Sequence, residues 1–173
     1  MTRTATWPYR IRPAVADDAP VLLDLVRALA EYERLSHEVS ASADLFRKHG
    51  FGRESRFEAL LAEDASGEAI AFALYFFKFS TFAGKPTLHL EDLFVKSEHR
   101  GRGLGKAFFG ELAAIAAERG CGRMEWDVLD WNEPAIRFYE SLGAAPLRDW
   151  FTFRLTEDGF ATLDSLRREG GVR

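Results

Sequence analysis

The chain has 173 residues, 47% apolar and 29% charged, with a net charge of −4, which fits one globular domain over residues 1–173 with a substantial core. The mild acidity excludes general affinity for nucleic acid or an anionic membrane, so any anion site must be local. A lone cysteine, Cys121, excludes an internal disulfide; with no apolar leader in "MTRTATWPYRIRPA" and no run of membrane-spanning length, the expectation is a cytoplasmic enzyme or binding domain.

In chain order, "YRIRPA" predicts a short strand ending at Pro13. Leu22, Leu25, Val26 and Leu29 follow at helical spacing, after the capping candidates Asp17 and Asp18. "SASADLFRKHG" predicts a second helix closed by Gly50. "RFEALLAE", "EAIAFALYFFKF" and "PTLHLEDLFV" read as three strands separated by the turn signals "DASG" and "TFAGKP". A helix carrying Leu104, Phe108, Leu112 and Ile115 on one face comes next, stopped by Gly120 and Gly122. "RMEWDVL" predicts another strand, and Asn132 caps the helix "EPAIRFYESLG", with Pro134 in its first turn and Gly143 past its end. "WFTFRL" reads as a late strand closing a core of about residues 9–155, and Thr156 caps a terminal helix, about 156–169, with Leu163 and Leu166. This order predicts an α/β fold of α+β type, with a mixed, mostly antiparallel sheet flanked by helices rather than the strict alternation of a doubly wound fold.

The stretch "EHRGRGLGKAFFG" (residues 98–110) places glycines and arginines at a helix start, where free N–H groups attract anions. It is not a dinucleotide fingerprint, because Gly101, Gly103 and Gly105 are spaced GxGxG and Lys106 occupies the decisive position. It is not an NTPase phosphate loop either: Gly101 is one residue too close to Gly105, and Ala107 follows the lysine. What remains is Arg100-x-x-Gly103-x-Gly105, whose glycines permit close backbone approach to a pyrophosphate with Arg100 and Lys106 adding charge. The loop alone leaves a solvated basic turn open.

Together, "LEDLFV", "RGRGLG" and "WNEPAIRFYESLGA" resemble the Gcn5-related N-acetyltransferase (GNAT) family over roughly residues 11–155. Within it, "EYERLSHEV" and "FALYFFKFSTFAGK" are similar to the spermidine/spermine (diamine) acetyltransferase branch, and most of all to members that acetylate thialysine. The resemblance implies a V-shaped opening between two central strands, acetyl-CoA as acetyl donor, and direct attack by a small amine. It implies that Arg100, Gly101, Arg102, Gly103, Leu104, Gly105 and Lys106 hold the pyrophosphate. The backbone of Leu93, Phe94 and Val95 pairs with the pantetheine, and Asn132, Glu133, Pro134 and Ala135 contact it from the next helix. A backbone N–H on that strand also suits an oxyanion.

An alkyl ammonium has a pKa near 10.4, so attack on a thioester requires a base, and the departing thiolate requires an acid. The resemblance assigns Glu91 as base and Tyr139 as acid, the latter also near the coenzyme sulfur. Glu91 and Asp92 are adjacent, and in a regular strand they point to opposite faces; either one is catalytic and the other supporting, or both attract the cationic substrate. Tyr32 and Glu33 match a Tyr-Glu pair lining the amine channel, and Glu125, Trp126 and Asp127 add acidic and aromatic character. Ser80 and Phe82 stand where spermidine-type members carry an acid and a tryptophan, and Ser141 and Leu142 replace an arginine pair. The loop before Trp150 is also shorter. These departures favour a short diamine, or an amino acid with a side-chain amine, over long polyamines. His37, His49, His89, His99 and Cys121 show no metal-ligand spacing, so no metal is expected. The branch also implies a homodimer. The other readings are a protein or peptide N-acetyltransferase and a non-catalytic acyl-CoA-binding module.

Overall fold

A computed structural model describes residues 9–169, leaving out residues 1–8 and 170–173 of the expected domain and the side chain of Leu166. The described residues divide into two compact units, parted between Asp127 and Val128.

The first unit is built on a five-stranded sheet in the order β1-β2-β3-β4-β5. Its strands are β1 (Arg10–Pro13), β2 (Glu58–Glu63), β3 (Ala69–Ser80), β4 (Lys85–Val95) and β5 (Arg123–Trp126). All neighbours are antiparallel except β4 and β5, which are parallel. The mixed, mostly antiparallel sheet flanked by helices is therefore the observed architecture. Two apolar layers cover it. On one face α3 (Leu104–Glu118) buries Leu104, Phe108, Leu112 and Ala116 against Ala71, Ala73, Tyr75, Leu88 and Leu90, with Ile115 partly buried beside them. On the other, α1 (Ala19–Tyr32) and α2 (Ala43–Gly50) supply Leu22, Leu25, Leu29 and Phe46 to a cluster with Leu61, Phe72, Leu74 and Phe94.

Two sequence-derived details are corrected. Asp18 stands at the N-cap of α1, yet its carboxylate makes no capping bond to the helix. It accepts from Arg12 Nη1 and Nη2 at 2.7 and 2.9 Å, while Arg12 Nε reaches Glu63 Oε1 at 2.7 Å. The guanidinium holds the Asp18 carboxyl below its ordinary range and ties β1, β2 and the start of α1 together. Gly50 ends α2 without a left-handed turn; a Cβ there would lie 2.5 Å from the Phe57 ring, so closeness rather than conformation demands glycine.

β4 carries an irregularity that positions everything downstream. Leu74 pairs with Asp92, but Tyr75 pairs with Leu90, so Glu91 is the extra residue of a β-bulge. The bulge resets the alternation: Leu88 and Leu90 face α3, and beyond it Phe94 faces α1 while Leu93 and Val95 face α3. The expectation that Glu91 and Asp92 point to opposite faces is thereby overturned. β4 also leaves β5. The parallel pairing runs only from Thr87–Arg123 to Leu90–Trp126, while β4 continues to Val95. This is the V-shaped opening in the sheet.

The second unit contains α4 (Glu133–Ser141) and α5 (Glu157–Glu169). Asn132 caps α4 as expected, its Oδ1 accepting from Ala135 N–H at 3.4 Å, and Gly143 beyond the helix takes a φ of +87°. The strand expected over "WFTFRL" does not form. Residues 151–155 have no regular structure, and Phe151 and Phe153 are exposed. Alternating apolar residues make a strand only when a neighbour takes the backbone hydrogen bonds, and no described strand pairs with them.

Phe108 is fully buried between α3 and the sheet. Phe108→Ala is expected to cost about 3–5 kcal/mol of stability, read as a lowered midpoint in urea denaturation.

Candidate active site

The opening between β4 and β5 brings acidic side chains to the α1 face of the sheet. Asp92 on β4 is largely buried, and its carboxyl is pushed up to about 7 by burial first, then by the neighbouring Glu91 and Glu33. Glu33 caps the C-terminus of α1, and burial raises its carboxyl as well. Glu91 leans toward His89, its Oε2 lying 3.6 Å from His89 Nε2. Three carboxylates thus crowd one region, an arrangement that favours a bound ammonium.

The other expected acceptor residues are distributed differently. Glu125 pairs with Arg123 at 2.8 Å and Lys78 at 3.1 Å. Trp126 turns to the α3 side and packs edge-on against Phe109, with centroids 4.9 Å apart. Asp127 lies just past the end of β5, exposed, with Oδ2 3.9 Å from His89 Nε2. Tyr32, at the end of α1, stacks under the Arg100 guanidinium at 4.4 Å.

The glycine loop links β4 to α3. Gly101 and Gly103 take φ of +73° and +85°, a region that side chains with a Cβ rarely enter. Gly103 is the N-cap of α3 and no side chain caps this helix; Ala107 N–H is bonded back to the Gly103 carbonyl at 3.1 Å. The N–H groups of Leu104, Gly105 and Lys106 precede that first intrahelical bond and point out of the helix start. Arg100 is held in place, its Nε donating to the Val95 carbonyl at 2.8 Å. Arg102 donates to the Tyr9 hydroxyl at 3.2 Å, and Lys106 is exposed. The backbone of Leu93, Phe94 and Val95 pairs with β3 on one side, and no described strand pairs with the other. A loop rich in outward N–H groups beside an unpaired strand edge suits a ligand with a phosphate head and an amide-bearing arm.

In the second unit, Asn132, Glu133, Pro134 and Ala135 form the start of α4, and Tyr139 lies two turns along it, half-buried beside Phe138.

Residues 22–144 match the "Acetyltransferase (GNAT) family". The chain belongs to the GNAT acetyltransferase family. It is 37% identical over 163 residues to a thialysine N-epsilon-acetyltransferase of Sus scrofa, covering 88% of this chain and 95% of that one. It is 28% identical to an L-ornithine N5-acetyltransferase of Arabidopsis thaliana, covering 91% and 88% of the two chains. Among solved structures, an integron cassette protein from V. cholerae superposes with a TM-score of 0.76 at 26% identity, covering 91% of this chain and 98% of that one. As a GNAT acetyltransferase the chain is an acetyl-CoA-dependent N-acetyltransferase. Among the described residues no group of three or more His, Cys, Asp or Glu side chains is arranged to hold a metal ion, and no helix is long and apolar enough to cross a membrane.

Sequence reasoning did not single out His89 for this site, although its place two residues before Glu91 in "LHLED" was a usable signal. The Asp92 environment yields a stability test. Its folded-state pKa lies above the ordinary carboxyl value, so its contribution is full at low pH and is lost as pH rises toward and through about 7. Asp92→Asn removes that loss. Its melting temperature is expected to exceed that of the parent more at pH 8 than at pH 5 in paired thermal denaturations.

Proposed function

We propose that the protein acetylates a primary amine of a short diamine or of a thialysine-like amino acid. The observation carrying this reading is Asp92, a largely buried carboxyl pushed up to about 7 between Glu91 and Glu33. A second ammonium on the acceptor would neutralise this cluster while the reacting amine sits by Glu91. The similarity to thialysine and ornithine acetyltransferases supports the same acceptor class.

In this reading Glu91 takes a proton from the ammonium, directly or through a water, freeing the nitrogen lone pair. Acetyl-CoA supplies the activated acetyl group. The N–H groups at the start of α3, with Arg100 and Lys106 nearby, hold the pyrophosphate. Leu93, Phe94 and Val95 pair with the pantetheine arm through their backbone, and a backbone N–H there stabilises negative charge developing on the acetyl oxygen. Asn132 and the α4 start contact the same arm, and Tyr139 protonates the departing thiolate. Tyr32 and Glu33 line the acceptor channel with Asp92. We assign the protein to the cytoplasm as a homodimer, without a metal; sedimentation velocity giving a monomer would overturn the assembly state.

Turnover assayed by free thiol release across putrescine, spermidine, lysine, thialysine and a peptide tests the acceptor. The highest kcat/KM is expected with putrescine or thialysine, and a peptide as best acceptor would refute the reading. Glu91→Gln and Tyr139→Phe are each expected to lower kcat by about 10²-fold or more while leaving the Kd for coenzyme A, measured by calorimetry, nearly unchanged.

A further inference from the structure

His89 is the buried ionisable side chain beside Glu91 that the proposed chemistry leaves without a task. It lies on β4 one alternation before the bulge, its side chain 10% exposed and its ring tilted against Phe76 with centroids 4.9 Å apart. Its Nδ1 is buried and has no hydrogen-bond partner. Its Nε2 faces two carboxylates, Glu91 Oε2 at 3.6 Å and Asp127 Oδ2 at 3.9 Å.

Ionised carboxylates only accept, so the nitrogen that faces them must carry the proton. That leaves Nδ1 as a bare lone pair in an apolar wall, less costly than a stranded N–H. The charged groups around the ring are Glu91 on β4, Lys78 on β3, Glu125 on β5 and Asp127 just beyond it, and Asp92 and Glu33 lie on the far side of Glu91. Burial first, then Lys78, outweigh the three carboxylates and hold the imidazole below its ordinary range, so it is neutral near pH 7.

We propose that His89 is a positioning residue for the base: its Nε2–H, fixed by the Phe76 wall, orients the Glu91 carboxylate toward the acceptor amine. The inference rests on the reading of Glu91 as base. The 3.6 Å separation is longer than a hydrogen bond, and such contacts shorten once substrate is bound. Because Nδ1 has no partner, a proton cannot pass through the ring to a second group, so His89 holds Glu91 rather than relaying its proton.

Nitrogen-15 NMR of the wild-type protein labelled at histidine reads the tautomer directly. An Nε2-protonated, neutral ring at pH 7 is expected, and an Nδ1-protonated ring overturns the proposal. His89→Phe fills the space and deletes the donor, and is expected to lower kcat about tenfold. It is also expected to move the acidic limb of kcat/KM up by about one pH unit, with the KM for acetyl-CoA unchanged. His89→Gln, which keeps an N–H donor, is expected to restore most of the rate and the limb. A loss of rate without movement of the limb, or parent-like behaviour of His89→Phe, overturns the proposal. In a Glu91→Gln background His89→Phe is expected to add nothing, and additive losses overturn it. If Glu91→Gln alone retains parent turnover, the reading of Glu91 fails; if Glu91→Gln is impaired and His89→Phe is not, this inference alone fails.

Discussion

β4 must satisfy two neighbours that diverge. It pairs continuously with β3 out to Val95, yet parts from β5 after Leu90. The bulge at Glu91 reconciles these demands, because an added residue bends and twists a strand locally without breaking its pairing on the other side. The placing of the proposed base follows from that one residue of extra backbone. It turns Glu91 and Asp92 toward the same face, while the end of β5 leaves the Leu93–Val95 edge free.

The electrostatics sort the acidic side chains into those already satisfied and those held ready. Glu125 is engaged by Lys78 and Arg123, and Asp18 and Glu63 by Arg12. Glu33 and Glu91 instead both act on the Asp92 carboxyl. Crowding like charges in a low-dielectric place is unfavourable, and proteins maintain it mainly where a ligand of opposite sign completes the set. Asp92, its carboxyl pushed up to about 7, can ionise as a cation arrives.

Much of this was legible in the residues. The helical spacing of Leu22, Leu25 and Leu29, and of Leu104, Phe108 and Leu112, marks the faces with which α1 and α3 cover the sheet. The Asn132 cap and Gly143 bounded α4. The bulge was harder to read, because "LHLEDLFV" is apolar on both faces after its acids and a broken alternation does not stand out. The step from Leu90 to Leu93, with two residues rather than one between side chains on the same face, is its only trace. The Asp18 carboxylate looked like a helix cap because a cap and a salt-bridge partner share the same residue type and position. "WFTFRL" looked like a strand because alternation reports a face to be covered, not a partner to cover it. In the sequence His89 reads only as a histidine without metal-ligand spacing, because a histidine's role depends on what its second nitrogen meets, and that is set by packing.

The guanidinium of Arg100 joins three things at once: the Val95 carbonyl at the strand end, the Tyr32 ring at the end of α1, and, at 5.6 Å, the Phe94 ring beneath it. A planar, delocalised cation can lie flat on aromatic rings while an edge nitrogen donates sideways; an ammonium on a flexible stem cannot do both. Position 100 is therefore intolerant of lysine despite the conserved charge. Kinetic defects in variants at this position would report on helix anchoring as well as on the neighbouring loop.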